Sequence, residues 1–211
     1  MSTVGAPKDP NSDYYQMYEA LFAYIGSKTT TPLTDGDMSL LRSLMTPKKL
    51  RKGQYLQEEG EVSKLGGFIV KGAMRQFSLD DKGTEHIIQL LLENWWVGDR
   101  ESFEKETPSP FYIDAWEETD ILLITKKNFE IMKGIPAVAN TFNTIINKHV
   151  AALHERVRDT ISLTAEKRYE NLMQTHPEFL QRFPQRIIAS YLGITKETLS
   201  RLRHNYKSAE V

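Results

Sequence analysis

The residues best suited to chemistry with a partner lie close together near the end of the chain, in ITKETLSRLR. Lys196, Glu197, Thr198, Ser200, Arg201 and His204 fall on one face if this stretch is helical, because residues three and four apart are helix neighbours. An Arg fork can grip the O6/N7 edge of guanine, and a Glu carboxylate can accept from a cytosine amino group. Each such pair carries about 1–3 kcal/mol of discrimination between bases. Lys196 suits a base or a phosphate. Thr195, Arg186 and Arg203 are further candidates for phosphate contact, as are the helix amides at Thr195–Glu197. Glu197 would also stabilise the helix dipole from its first turn, so its position serves either role.

Presenting that face requires a rigid pair of helices, and QRIIASYLGITKETLSRLR, residues 185–203, has the pattern for it. Ile188, Leu192, Ile194, Leu199 and Leu202 supply an apolar inner side. Ala189 is small where two helices must cross tightly, and Gly193 accepts the positive φ of the turn. Thr195 offers an N-cap oxygen to the second helix. The spacing predicts a helix-turn-helix.

Composition bounds the rest. The 211-residue chain has no cysteine, which removes disulfides, Cys-held iron–sulfur clusters and a thiol nucleophile. No run approaches the roughly 18 apolar residues of a membrane span, and no basic-then-apolar leader is present; the expectation is a cytoplasmic protein that does not use a membrane. Net charge is −1, but its distribution is uneven. Residues 164–211 hold eight Lys/Arg and five Asp/Glu, a net of +3, so the remainder carries nineteen basic against twenty-three acidic, a net of −4. The basic excess accompanies the helix pair, as contact with phosphates requires.

Upstream, residues 1–13 are polar with Pro and Gly and read as a leader. Tyr14–Ile25 and Thr34–Leu44 have helical spacing, the second with Asp35 and Asp37 near its positive end. From Lys48 the pattern becomes short β-prone runs separated by Gly53, Gly60, Gly66-Gly67, Gly72, Gly83 and Gly98, continuing through Phe111–Trp116 and Ile121–Thr125. Such strands between glycine turns predict an antiparallel barrel or sandwich, interrupted by a polar loop with a short helix over Arg100–Ser109. Pro136 opens a helix to about Thr160 in which Ile146, Val150, Leu153 and Val157 recur every three or four residues. That stripe suits a seam with a second copy of the chain, leaving Phe142 and Ile145 as an apolar edge for the barrel; packing on the chain's own barrel is the alternative. Ser162–Thr164 reads as a hinge, followed by helices over Ala165–Gln174 and Pro177–Phe183.

Catalysis finds no support. Glu58/Glu59 and Glu117/Glu118 are adjacent in β-prone or turn segments, where neighbours point to opposite faces. There is no nucleophile elbow, phosphate loop or metal-spaced His cluster; His86, His149 and His154 are scattered. The expectation is a protein that is not an enzyme, with no cofactor and no metal.

ASYLGITKETLSRLR, together with KGQYLQEEGEVSKLGGFIVKGAMRQF, resembles the Crp/Fnr family of bacterial transcription regulators across residues 48–206. The resemblance implies an α+β protein: an antiparallel β-roll (jelly roll) effector domain with N-terminal helices over residues 1–135, a dimerisation helix over 136–161 and an all-α helix-turn-helix domain over 162–211. It implies a homodimer on a near-palindromic DNA operator, with Lys196, Glu197 and Arg201 where members read the major groove. Many members follow the recognition helix with a β-hairpin wing. Here Pro177–Pro184 looks helical and nothing strand-like precedes Val211.

The effector cassette departs from the cyclic-nucleotide-binding members. It reads GDRESFEKETPSPFYIDAW, with candidate residues Gly98, Asp99, Arg100, Glu101, Ser102 and Ser109. Asp99 falls at the ribose-contacting acid and Ser109 at the phosphate-binding Arg. Leu153 and His154 stand where hydroxyl residues meet adenine. A buried cyclic phosphate without a cation is costly, and Arg100 could serve only if the loop were reshaped. Trp95, Trp96, Phe111, Tyr112 and Trp116 would then fill the pocket or favour an apolar ligand. The expected effector is an unidentified small molecule other than cAMP. The alternative function is a small-ligand or cyclic-nucleotide sensor whose C-terminal helical hairpin binds a protein.

Overall fold

The computed structural model describes residues 13–209, with side chains as far as Tyr206; the polar leader lies outside the described residues apart from Asp13. The chain divides into two compact units. The first comprises residues 1–76 and 91–146, and the second residues 77–90 and 147–211.

In the first unit, α1 (Asp13–Lys28) exists because its apolar residues line one side: Met17, Tyr18, Leu21, Phe22 and Ile25 are all buried. Helix α2 (Asp35–Leu44) begins at Thr34 in a capping box. The Asp37 amide donates to Thr34 Oγ1 at 3.1 Å, and the Thr34 amide donates to Asp37 Oδ2 at 3.0 Å. Eight strands follow: β1 (Thr46–Leu50), β2 (Tyr55–Gln57), β3 (Leu65–Lys71), β4 (Met74–Leu79), β5 (Glu85–Leu91), β6 (Trp96–Val97), β7 (Tyr112–Ala115) and β8 (Thr119–Thr125). They form two four-stranded sheets in the orders β1-β8-β3-β6 and β2-β7-β4-β5. The boundary between the two units passes through β4. Helix α3 (Arg100–Lys105) lies between β6 and β7, and α4 (Lys126–Met132) follows β8.

Strand alternation builds two cores in this unit. Ile69, Met74, Leu91, Val97, Ile113, Ile121 and Leu123 pack together inside the roll. Phe68, Leu122 and Ile124 pack against α1 and α2 with Met132, Ile135 and Val138, and Trp96 and Phe142 close onto that cluster with ring centroids 4.7 Å apart. The fate of Phe142 therefore matches the expectation for the first half of the long helix. Two of the predicted turn glycines behave otherwise: Gly66 and Gly67 lie within β3. A Cβ on Gly67 would meet Ile121 Cδ1 at 2.5 Å, so glycine is there for close approach of strands, not for a turn. Gly72 meets the turn expectation, with φ of 102°.

Helix α5 (Pro136–Ser162) begins in the first unit and ends in the second. It extends through Ser162, so the expected hinge shrinks to Leu163 and Thr164, and Thr164 caps the next helix by accepting the Lys167 amide. The second unit continues with α6 (Ala165–Thr175), α7 (Pro177–Arg182), α8 (Gln185–Leu192) and α9 (Lys196–Ala209). Tyr169, Leu172, Phe179, Phe183, Ile187, Ile188, Leu192, Leu199 and Leu202 are its buried apolar residues. Among the described residues this helical segment contains no strand.

Candidate nucleic-acid interface and effector loop

The predicted helix pair is α8 and α9. Gly193 ends α8 with φ 65° and ψ 39°, the left-handed conformation that a Cβ would strain. Its amide donates to Ser190 O at 3.0 Å, and the Ile194 amide reaches back to Ala189 O at 3.0 Å, which closes the turn. Ala189 is buried where its small side chain permits the crossing. Thr195 Oγ1 then accepts the Thr198 amide at 3.2 Å, the N-cap expected from the sequence. Leu199 and Leu202 turn inward, at 1% and 5% exposure.

The opposite face is polar and open. Thr195, Lys196, Glu197, Ser200, Arg201 and His204 are exposed, and Thr198 is half-buried. The Arg201 guanidinium lies 3.4 Å from Thr198 Oγ1, a contact one turn back that leaves it on the outer face. Arg203 is half-buried. Arg186, at the start of α8, is exposed and pairs with Glu85 of β5 at 3.4 Å. The far end of α9 is tied down by Tyr206, whose ring lies 5.6 Å from Tyr169 and whose hydroxyl donates to Glu170. That hydrogen bond, with some desolvation, pushes the Tyr206 hydroxyl up to about 12. The pair is held at its turn and at its far end, so its outer face is fixed.

The effector loop shows a different use of polar groups. Gly98 precedes Asp99, whose Oδ1 accepts the amides of Glu101 at 3.0 Å and Ser102 at 3.3 Å as the cap of α3. Ser102 Oγ accepts the Ser63 amide at 2.8 Å and donates to Thr107 O at 2.5 Å. Ser109 is buried; its amide donates to Glu61 O at 2.9 Å, and its hydroxyl accepts the Phe111 amide at 3.1 Å. Arg100 turns outward to Glu104 at 2.8 Å, and Lys105 pairs with Glu101 at 2.9 Å, both on exposed side chains. These cations do not face the buried oxygens. Asp99 Oδ2 is buried without a hydrogen-bond partner among the described residues. The buried cation of the roll is Arg75, which grips Asp114 in bidentate fashion at 2.9 and 3.0 Å, with its guanidinium 5.3 Å from the Trp116 ring. Leu153 and His154 are exposed on α5 in the second unit.

Comparison with known proteins agrees with this architecture. Residues 47–133 match the cyclic nucleotide-binding domain family. Over 182 residues the chain is 21% identical to the cAMP-activated global transcriptional regulator CRP of Salmonella typhimurium, covering 81% of this chain and 87% of that protein. FixK2 from Bradyrhizobium japonicum superimposes with a TM-score of 0.66 at 21% identity, covering 80% of this chain and 87% of that one. A protein from Eubacterium rectale assigned to the Crp/Fnr family of transcriptional regulators gives 0.60 at 18% identity, covering 84% and 85%. The architecture is that of the Crp/Fnr family. The resemblance read from the two sequence segments is thereby borne out, and so is the fold of β-roll, long helix and terminal helices. Among the described residues, no helix is long and apolar enough to cross a membrane, and no cluster of three or more His, Cys, Asp or Glu could hold a metal ion.

The Crp/Fnr-type fold also contains residues that sequence reasoning passed over. Ile161 is 81% exposed and continues the α5 stripe past Val157; extending the three-and-four spacing by one step would have found it. Arg156, Ser190 and Glu85 join distant segments, and no local pattern marks them.

Proposed function

We propose that this chain is a transcription regulator of the Crp/Fnr type that binds a near-palindromic DNA operator as a homodimer in the bacterial cytoplasm. The observation that carries the reading is the helix pair α8–α9, with a left-handed Gly193, a capped second helix, buried Leu199 and Leu202, and an exposed face bearing Lys196, Glu197, Ser200 and Arg201. Arg201 and Glu197 would read base edges; Lys196, Thr195 and Arg186 would hold phosphates. The kinship with regulators, and the absence of any assembled catalytic group among the described residues, argue against an enzyme.

The dimer reading rests on α5. Val150, Leu153, Val157 and Ile161 are 45%, 41%, 58% and 81% exposed at seam spacing, an apolar stripe that a second copy would cover. Two recognition helices related by a two-fold axis would then enter successive major grooves about 34 Å apart. The division into an effector roll over 1–135, a dimer helix over 136–161 and a DNA domain over 162–211 belongs to the same proposal.

The effector is not cAMP. Ser109 stands where a phosphate partner is needed and is committed to the backbone around it, while Arg100 is turned to Glu104. An anionic phosphate placed there would lose its water without gaining a cation. Selection from a pool of randomised duplex DNA tests the central reading: a recovered near-palindrome is expected. A pool that returns no preferred sequence favours the alternative, a helical hairpin that docks on a protein.

A further inference from the structure

An arginine side chain carries five donors in one plane and keeps its charge, so a half-buried arginine needs partners. Other arginines of the second unit have them. Arg156 of α5 donates to the carbonyls of Ile88, Ile87 (3.3 Å) and Tyr191 (3.1 Å), and its guanidinium stacks 4.2 Å from the Tyr191 ring. Arg158 pairs with Asp159, and Arg186 with Glu85. Arg168 of α6 differs. It is half-buried, and its Nε is shut off from solvent with no hydrogen-bond partner. Its guanidinium makes no hydrogen bond or ion pair with any described residue.

The chain around it supplies no counter-ion. Glu166 and Glu170, the acids of α6, stand two residues before and after Arg168, a spacing that puts them on other faces of the helix. Glu170 is also held by Lys167 at 2.6 Å and by the Tyr206 hydroxyl, and Asp159 by Arg158 and Asn171. Helix α8 has no acidic residue, and its buried side is Ile187, Ile188, Ala189 and Leu192. The other end of the guanidinium lies at the surface. Gly193 is exposed, and a Cβ built on it would have Arg168 Nη1 as its nearest neighbour, at 3.8 Å. Glycine at this turn therefore leaves Nη1 uncovered. The turn leads directly into Thr195 and Lys196, the residues that the proposed function assigns to phosphates.

We infer that Arg168 is a backbone clamp, set into the helical domain from outside the helix-turn-helix, which takes a DNA phosphate at the α8–α9 turn as its missing partner. A phosphate there supplies the acceptor and the negative charge that the chain withholds, and the buried Nε end holds the fork in place before DNA arrives. The contact anchors the protein on the backbone and reads no base. The clamp rests on the DNA-binding reading.

The test uses the full chain with a fluorescein-labelled 30-base-pair duplex of random sequence, titrated by anisotropy at several salt concentrations, so that no operator need be known. Arg168→Met keeps the length of the side chain and removes its charge. It is expected to weaken binding about 5- to 10-fold near 0.1 M salt and to make the salt slope shallower by about 0.9, the signature of one lost phosphate contact. Arg168→Gln, neutral but still able to hydrogen-bond, is expected to lose the same slope, whereas Arg168→Lys is expected to keep the wild-type slope. The melting temperature of the free protein is expected to be unchanged or raised in Arg168→Met, because the unpartnered Nε is gone. A wild-type slope in either neutral variant overturns the clamp and leaves the DNA-binding reading standing; if the melting temperature also falls, Arg168 is a packing residue. A wild type that binds no duplex at any salt concentration overturns the DNA-binding reading, and the clamp with it.

Discussion

Two loops in this molecule place a polar residue at the start of a helix, and they use it in opposite ways. Asp99 caps α3 from a buried position, and the hydroxyls of Ser102 and Ser109 beside it are spent on the backbone of Ser63, Thr107 and Phe111. Thr195 caps α9 from an exposed position, and the residues after it face outward; Lys196, Glu197 and Ser200 have no side-chain partner among the described residues. A site that recognises something else must keep polar groups available when its partner is absent. The α8–α9 face does so. The Gly98–Ser109 loop keeps only the buried Asp99 Oδ2, an acceptor unsuited to an anion.

The largest effect that separates the two regions is in the roll. Arg75→Met would leave Asp114 buried and unpaired, at a cost of about 3–5 kcal/mol. Urea unfolding is expected to show a loss of that size. Arg75→Met combined with Asp114→Leu is expected to recover most of it, because removing both charges leaves nothing to desolvate. If the double variant is as unstable as the single one, packing around Trp116, not the ion pair, holds that face of the sheet.

Next comes the dimer seam. Val150→Asp with Leu153→Asp is expected to give monomers by light scattering, with the roll still folded by circular dichroism. A persistent dimer would move the interface away from α5.

In the reader the expected losses are in binding more than in folding. Gly193→Val puts a β-branched residue at φ 65° and is expected to cost about 1–3 kcal/mol of stability along with DNA binding, while Gly193→Asn costs far less. The nearest atom to an added Cβ would be Arg168 Nη1 at 3.8 Å, so the difference between the two variants reports backbone strain and not a clash. Arg201→Ala is expected to remove about 1–3 kcal/mol of sequence discrimination in a competition gel shift with no change in melting temperature. Retained specificity would take Arg201 out of the base-reading set.

These contrasts also explain what could be read before the structure was known. The helix-turn-helix was legible because its determinants are local: Ala189, Gly193 and Thr195 span seven positions and each acts on its own backbone. The roll was legible as strands and turns, but not in the use of each glycine. Gly67 and Gly72 look alike in sequence and neither has room for a Cβ, yet only Gly72 adopts a positive φ. Contacts that join distant segments left no local mark. Ser190 meets Ile87 across 103 residues, and Arg75 meets Asp114 across 39. Alternation predicts which face of a strand a residue takes, but not what will cover that face.

The smallest expected effect falls on the β4–β5 turn. Asp80 accepts the Lys82 and Thr84 amides through Oδ1, both at 2.9 Å, and meets His86 through Oδ2 at 3.0 Å. The hydrogen bond from His86, followed by the backbone donors, lowers its carboxyl to about 2. Because the folded value lies below the ordinary carboxylate value near 4, the ionised turn contributes its stability above about pH 4. That contribution fades as pH falls towards 2, where the carboxyl protonates in the folded chain as well. Asp80 is on the surface, so the change should be local. The Lys82 and Thr84 amide resonances are expected to shift upfield together over that acid range, ahead of any change in the α9 amides. Asp80→Asn should abolish their pH dependence while keeping the turn, since an amide oxygen still accepts. Lys82 and Thr84 amides that titrate only with global unfolding would show that the hairpin is held by its ties to α8 and α5, with no contribution from its own turn.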